Sequence, residues 1–222
     1  MSSIEKIAMI IGNKTKENLN LDSDQVEIIV YGAINILQTI NSIFWVIAFG
    51  FLTGTLFESL MFSISAGVLR KYSGGGHASS PMRCAAIGTI TAVIGGLMIQ
   101  KIFIYMNLKI SIIMVVIITI ININIIIKKA PVDSIEKPIR SEELRKKFRI
   151  KSIILLCISL FISIALLLIV DENYYEKFVL KVIQCLILGE LWQCITLTDL
   201  GIFMINKMDK ILKYIFVVVK VK

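Results

Sequence analysis

Histidine occurs once in these 222 residues, at His77, and no two of the four cysteines stand in a Cys-x-x-Cys spacing. A zinc site draws on about three or four Cys, His or carboxylate ligands, so the chain is a poor metal protein, and nothing in it implies a cofactor. Charged residues are scarce at 18%, against about 25% in a soluble domain. The regular apolar–polar alternation that builds surface helices and half-buried strands is missing too. Met1 to Gln25 is polar and mixed in charge and lacks the apolar centre of a cleavable signal peptide.

What the chain has instead is long unbroken apolar runs, with 56% hydrophobic residues and a mean hydropathy of +0.82. Its length suits about six spans of roughly 20 residues. The expected fold class is all-α, a polytopic membrane helix bundle forming a single integral domain over residues 1–222. The net charge of +8 does not mark a nucleic-acid binder, because the basic residues gather in short segments between the apolar runs. That is the pattern of the positive-inside rule and of contact with membrane lipid.

Spans are expected near Tyr31–Gly50, Leu52–Leu69, Cys84–Ile99, Ile110–Ile127, Ile153–Val170 and Val182–Ile205. Before them, within the 1–27 N-terminal segment, Ile4, Ile7, Ala8 and Ile11 follow the i, i+3, i+4, i+7 rule beside Lys6, Lys14 and Lys16. That spacing suits a short amphipathic helix at the membrane surface, or else a weakly ordered tail. The 128–151 segment reads as a basic cytoplasmic loop, with Pro131 and Pro138 and nine basic residues against four acidic, a net of +5. Asp171 to Lys181 starts acidic and suits the outside. The 207–222 tail, with Lys207, Lys210, Lys213, Lys220 and Lys222, is basic. Placing the 128–151 loop inside puts the N-terminus, Arg70 to Arg83 and the C-terminus inside as well, all in segments that carry Lys or Arg.

The stretch Arg70-Lys-Tyr-Ser-Gly-Gly-Gly-His77-Ala-Ser-Ser-Pro-Met-Arg-Cys84 is where chemistry could reside. A cysteine nucleophile needs a partner that takes its proton, and histidine suits that task. Arg83 and a helix start at Cys84 would both favour the thiolate. In an unbroken helix seven residues would part the two side chains by about 10 Å, too far for a hydrogen bond. Gly74, Gly75 and Gly76 loosen the chain before His77, and Pro81 opens the next helix, so a folded-back loop could join them. The same glycines could turn their N–H groups toward an oxyanion. A buried thiol and an unrelated interfacial histidine would also satisfy the spacing.

Arg70, Gly74, Gly75, His77, Ala78 and Cys84 stand in the arrangement of the accessory gene regulator protein B (AgrB) family. Lys128-Lys129-Ala130-Pro131-Val132-Asp133, followed by Lys137 and Pro138, resembles that family's central loop. The similarity in length, span count and motif order covers most of the chain; the first fifty residues and the tail after Asp199 add little. The resemblance implies a membrane cysteine endopeptidase that processes a short AgrD-like propeptide into a quorum-sensing signal. Cys84 would form a thioester with the propeptide and His77 would serve as base and then acid. An internal Cys or Ser of the propeptide would then close a thiolactone or lactone ring.

Arg70, Lys71, Lys128 and Lys129 read either as substrate-binding groups for an acidic part of the propeptide or as stop-transfer charges. Glu190 and Asp199 fall in the expected sixth span, where a carboxylate is a functional candidate, and Glu190 could orient His77 as a third catalytic group or pair with a basic residue inside the bundle. Glu58 is expected in an outer turn, and Ser79 and Ser80 read as loop caps or as hydrogen-bond partners, the former preferred. Cys157, Cys185 and Cys194 lie in apolar runs as small hydrophobes. A small bundle of this kind is compatible with homodimerisation. The rival readings are a peptide transporter or permease, against which no internal repeat is evident, and a non-catalytic scaffold, which leaves the glycine-histidine-cysteine loop without a reason.

Overall fold

The computed structural model describes residues 3–19, 21–76, 78–133, 139, 141–169 and 176–220. His77, Lys137 with Pro138, and the acidic start of the expected outer segment at Asp171 lie outside the described residues. The described chain is helical, and its packing divides it into two units, residues 1–45 and 46–222.

The first unit holds α1 (Ser3–Leu19) and most of α2 (Ser23–Leu52). Asp22 and Gln25 cap α2 reciprocally: the Gln25 N–H donates to Asp22 Oδ1 at 2.8 Å and the Asp22 N–H to Gln25 Oε1 at 3.2 Å, a capping box. The amphipathic spacing of Ile4, Ile7, Ala8 and Ile11 does give a helix. Its buried side is the small pair Ala8 and Gly12, and Gly12 closes on Val26 and Val30 of α2.

The second unit contains the end of α2, then α3 (Leu56–Ser73), α4 (Pro81–Lys101), α5 (Leu108–Lys129), α6 (Glu142–Ile169), α7 (Glu176–Ile195) and α8 (Asp199–Lys220). Among the described residues five helices are long and apolar enough to cross a membrane: 23–52, 81–105, 108–129, 142–168 and 176–195. They match the first, third, fourth, fifth and sixth expected spans. The second expected span is α3, which carries Glu58, Arg70 and Lys71 within its 18 residues. Those charges are tolerable because α3 is surrounded: it packs most extensively on α7, then on α4 and α6. Glu58, expected in an outer turn, is buried in the first turn of α3 and pairs with Lys181 of α7 at 2.8 Å.

Small residues allow this central pairing. Gly189 of α7 lies under the Phe62 carbonyl and Ser65, Gly95 of α4 lies under the Phe62 ring, and Gly96 faces Ser59. Ser65 adds an interhelical hydrogen bond to the Leu186 carbonyl at 2.7 Å. Without a hydrophobic force between helices in lipid, such close backbone approach and interhelical bonding supply the attraction. A Cβ on Gly189 would stand 2.5 Å from the Phe62 carbonyl oxygen, so Gly189→Val should destabilise the bundle by about 2 kcal/mol or more. Thermal unfolding of the purified protein in detergent checks this; an unchanged midpoint would show that α3 and α7 are not held this way.

Two expected boundaries are corrected. The sixth span does not run to Ile205, because α7 stops at Ile195 and the Thr196 and Thr198 hydroxyls bond back to the Gln193 and Ile195 carbonyls, both at 2.7 Å. Thr198 Oγ1 then accepts the Gly201 N–H and starts α8, which takes up most of the 207–222 tail. Within the 128–151 segment the chain is helical from Glu142 onward, where Glu142 and Glu143 place negative charge at the positive end of α6.

Candidate active site

Three parts of the second unit meet at the connection between α3 and α4. Helix α3 ends on Gly74, whose φ of 69° lies in the left-handed region open to glycine, and Gly75 follows at φ 133°. Val132, from the segment after α5, lies alongside: its N–H donates to the Ser73 carbonyl at 3.0 Å and its carbonyl accepts the Gly75 N–H at 3.4 Å. The close of α7 supplies the floor. Gln193 Nε2 donates to the Gly74 carbonyl at 2.6 Å and to Ser73 Oγ at 3.0 Å, and the Thr196 carbonyl accepts the Gly76 N–H at 3.2 Å. A Cβ on any of the three glycines would meet these walls: Val132 for Gly74, Thr196 for Gly75, Ile205 for Gly76.

Arg70, one turn before the end of α3, folds over the same connection. Its guanidinium donates to the Gly76 carbonyl and to Gln193 Oε1, and it lies within electrostatic reach of Cys84. Arg70 thus grips the residue immediately before His77. On the far side of His77 the connection is gripped again, by Asp209 of α8. Asp209 accepts from the Ser79 N–H at 3.3 Å, from Ser79 Oγ at 2.6 Å and from Arg83 Nε at 2.6 Å, and Arg83 also bonds Ser79 Oγ. Burial pushes the Asp209 carboxyl up, but the bonds from Arg83 and Ser79 and the Arg83 charge outweigh it and hold it below the ordinary carboxylate range.

Cys84 follows in the first turn of α4, half-buried, with its N–H on the Ser80 carbonyl at 2.9 Å. Pro81 opens that helix as its first residue. Ser80, read from sequence as a cap, stands at the N-cap position without a side-chain cap bond, and Ser79 is a partner of Asp209 and Arg83 instead. The N–H groups of Gly74, Gly75 and Gly76 all donate to backbone carbonyls, those of Arg70, Val132 and Thr196. The glycines therefore shape and hold the connection.

The other sequence candidates spread out. Lys71 is exposed over the Tyr72 ring and Lys128 is exposed. Lys129 pairs with Asp199 at 2.9 Å, and Asp199 is an exposed residue at the start of α8 rather than a group inside a span. The Lys129 bond and charge hold the Asp199 carboxyl below its ordinary range. Glu190 is buried one turn before Gln193 and lines a pocket of about 170 Å³ with Ser65 and Leu69 of α3 and Ser159 of α6. Cys185 and Cys194 are buried in apolar clusters and Cys157 is exposed. Among the described residues no cluster of three or more His, Cys, Asp or Glu is placed to hold a metal.

Gln193, Thr196 and Asp209 were not singled out in the sequence. The available signals were a glutamine inside an apolar helix and a lone carboxylate among the lysines of 207–213. The fork of Arg70 makes a specific demand: Arg70→Lys keeps the charge but loses the two-point grip. We expect it to destabilise the protein by about 1–3 kcal/mol, read by thermal unfolding in detergent; an unchanged midpoint would show that the charge alone matters.

The family model of "Accessory gene regulator B" matches residues 4–197. The "Putative AgrB-like protein" of Clostridium perfringens (strain SM101 / Type A) is 38% identical over 207 residues, covering 93% of this chain and 96% of that relative. "Putative AgrB-like protein 2" of Clostridium perfringens (strain 13 / Type A) is 35% identical over 207 residues, with the same coverage. No solved structure matches the chain.

Proposed function

Since the chain belongs to the accessory gene regulator B family, we propose that it processes a quorum-sensing propeptide in the cell membrane as a cysteine endopeptidase, with Cys84 as nucleophile and His77 as general base. Family membership supports the role in propeptide processing. The observation that supports the mechanism is the double grip on the connection before Cys84: Arg70 and Thr196 at Gly76, Asp209 at Ser79. Both grips hold residues of the connection that leads into α4, whose first turn carries Cys84.

In this reading Cys84 Sγ gives its proton to His77 and attacks a backbone carbonyl near the C-terminal part of the propeptide. The first turn of α4 points its positive end at the charge that develops on the carbonyl oxygen. His77 returns the proton to the departing amine, and the C-terminal fragment leaves. The remaining acyl group stays on Cys84 as a thioester. The propeptide's own Cys or Ser then gives a proton to His77 and attacks that thioester, forming the ring and releasing the Cys84 thiol. Exchange of one thioester for another is nearly balanced, so excluding water decides between ring and linear product. This reading keeps the amino and carboxyl ends on the cytoplasmic side, which the positive-inside rule supports. Lys71, next to Arg70, and Lys128, four residues before Val132, are exposed and are the groups proposed to meet an acidic propeptide segment; Arg70 serves the enzyme's own loop.

His77→Ala, co-expressed with the propeptide, should lower cleavage by about 10²–10⁴-fold, read as the propeptide's mass on a gel, with the protein still inserted in the membrane. Full cleavage by this variant would remove His77 from the mechanism.

A further inference from the structure

Helix α8 has two faces with different partners. Its inner face, Gly201, Ile205 and Asp209 at i, i+4 and i+8, is buried, with Asp209 on Ser79 and Arg83. Its outer face carries Leu200, Phe203, Met204, Ile211, Tyr214 and Ile215, spaced so that all fall on one stripe. These side chains are exposed, Phe203 at 62% and Tyr214 at 74%. Lys207 lies within that stripe, Lys210 borders it, and Lys213 stands further round the helix on the same flank, all exposed.

The helix is long enough to span a membrane but is not among the five that are also apolar enough. Its two carboxylates are turned away from the lysines: Asp199 pairs with Lys129 and Asp209 with Arg83. Among the described residues no carboxylate pairs with Lys207, Lys210 or Lys213. An apolar stripe bordered by cations is complementary to a surface that is oily below and anionic above. A second copy of the chain would match the stripe but set the lysines against one another.

We propose that the outer face of α8 lies on the bilayer surface, its apolar stripe inserted below the headgroups and Lys207, Lys210 and Lys213 binding anionic lipid headgroups. The lysine stems reach up along the helix while their ammonium groups stay at headgroup level. Because the inner face of the same helix grips Ser79 and Arg83, lipid contact also fixes the depth of the connection that leads to Cys84.

The test places spin labels on full-length protein in which Cys84 and Cys157 are serine. Single Phe203→Cys, Ile211→Cys and Lys213→Cys variants carry the labels, all at exposed positions. The proteins are reconstituted in phosphatidylglycerol-containing vesicles and in vesicles of phosphatidylcholine alone. In the anionic vesicles the Phe203 and Ile211 labels should collide with oxygen and sit about 5–10 Å below the phosphates, while the Lys213 label should meet an aqueous nickel relaxant. Removing phosphatidylglycerol, or combining Lys207→Gln and Lys210→Gln, should move the two buried labels toward water. Water-exposed labels at all three positions would overturn the proposal, as would three equally deep labels, spin–spin broadening at Phe203 that reveals a second copy, or depths indifferent to lipid charge. No peptidase activity is needed for any of these readings.

Discussion

Cys84→Ala should leave the co-expressed propeptide uncut while the variant inserts and accumulates as the wild type does. The reason is chemical before it is structural. Alanine removes the only atom proposed to bond the scissile carbonyl, and no other cysteine can replace it. Cys185 and Cys194 are buried in apolar clusters, and Cys157 is exposed on α6, whose hydrogen bonds among the described residues reach Ala130 and Asp133 but not Gly74 to Ser80. The side chain itself is half-buried at the start of α4, so losing one sulfur there should cost little stability. Cleavage should fall by more than about 10³-fold, the scale seen when a covalent nucleophile is removed. Propeptide cleaved by Cys84→Ala at a rate near wild type would remove covalent catalysis and bring the transporter or scaffold readings forward.

The second large effect is expected at Asp209. Its carboxylate accepts three bonds that hold Ser79 and Arg83 on the Cys84 side of position 77. Asp209→Asn keeps the shape but loses the charge, leaving the half-buried Arg83 guanidinium without its partner. Unpairing a partly buried charged bond costs about 1–3 kcal/mol, and the free end of the connection should lose its position. We expect kcat for cleavage to drop by about 10–100-fold with KM for the propeptide little changed, because Asp209 grips the loop rather than the substrate. Asp209→Glu should recover part of the activity. The sign of the pH dependence follows from the carboxyl being held below its ordinary range. The folded state gains from the ionised form above the ordinary carboxylate pKa of about 3.9 and loses that gain as pH falls through the lower folded value. Asp209 should therefore contribute no pH dependence between about pH 5 and 8. Wild-type turnover in Asp209→Asn would show that α8 does not position the loop.

Much of this arrangement could be read from residues, and the part that could not has a common cause. Long apolar runs fix membrane helices by composition alone, so α2, α4, α5 and α6 cover nearly all of their expected spans, and α7 covers all but the end of its own. Pro81 before Cys84 and the glycines before His77 likewise announced a break between α3 and α4, through φ preferences that are local. What stayed hidden depends on contacts between distant segments. Gln193 and Asp209 act on the connection from 119 and 130 residues away, and no local pattern encodes such a pairing. The turn at Thr196–Thr198 was missed because threonine is apolar enough to continue a hydropathy run; its hydroxyls end the helix by bonding back to carbonyls. Arg70 was visible as a charge at a helix end, but its inward fold depends on a glycine carbonyl being presented six residues later.

The central claim is the thioester on Cys84, and one measurement addresses it most directly. The chain is co-expressed with a propeptide whose internal cysteine or serine is replaced by alanine, so that ring closure is blocked. The protein is then quenched in acid, and its intact mass is recorded. The account predicts an adduct equal to the N-terminal propeptide fragment less one water, located on Cys84, released by neutral hydroxylamine and absent from Cys84→Ala. Cleaved propeptide with no adduct on the enzyme, or an adduct that survives Cys84→Ala, would contradict it.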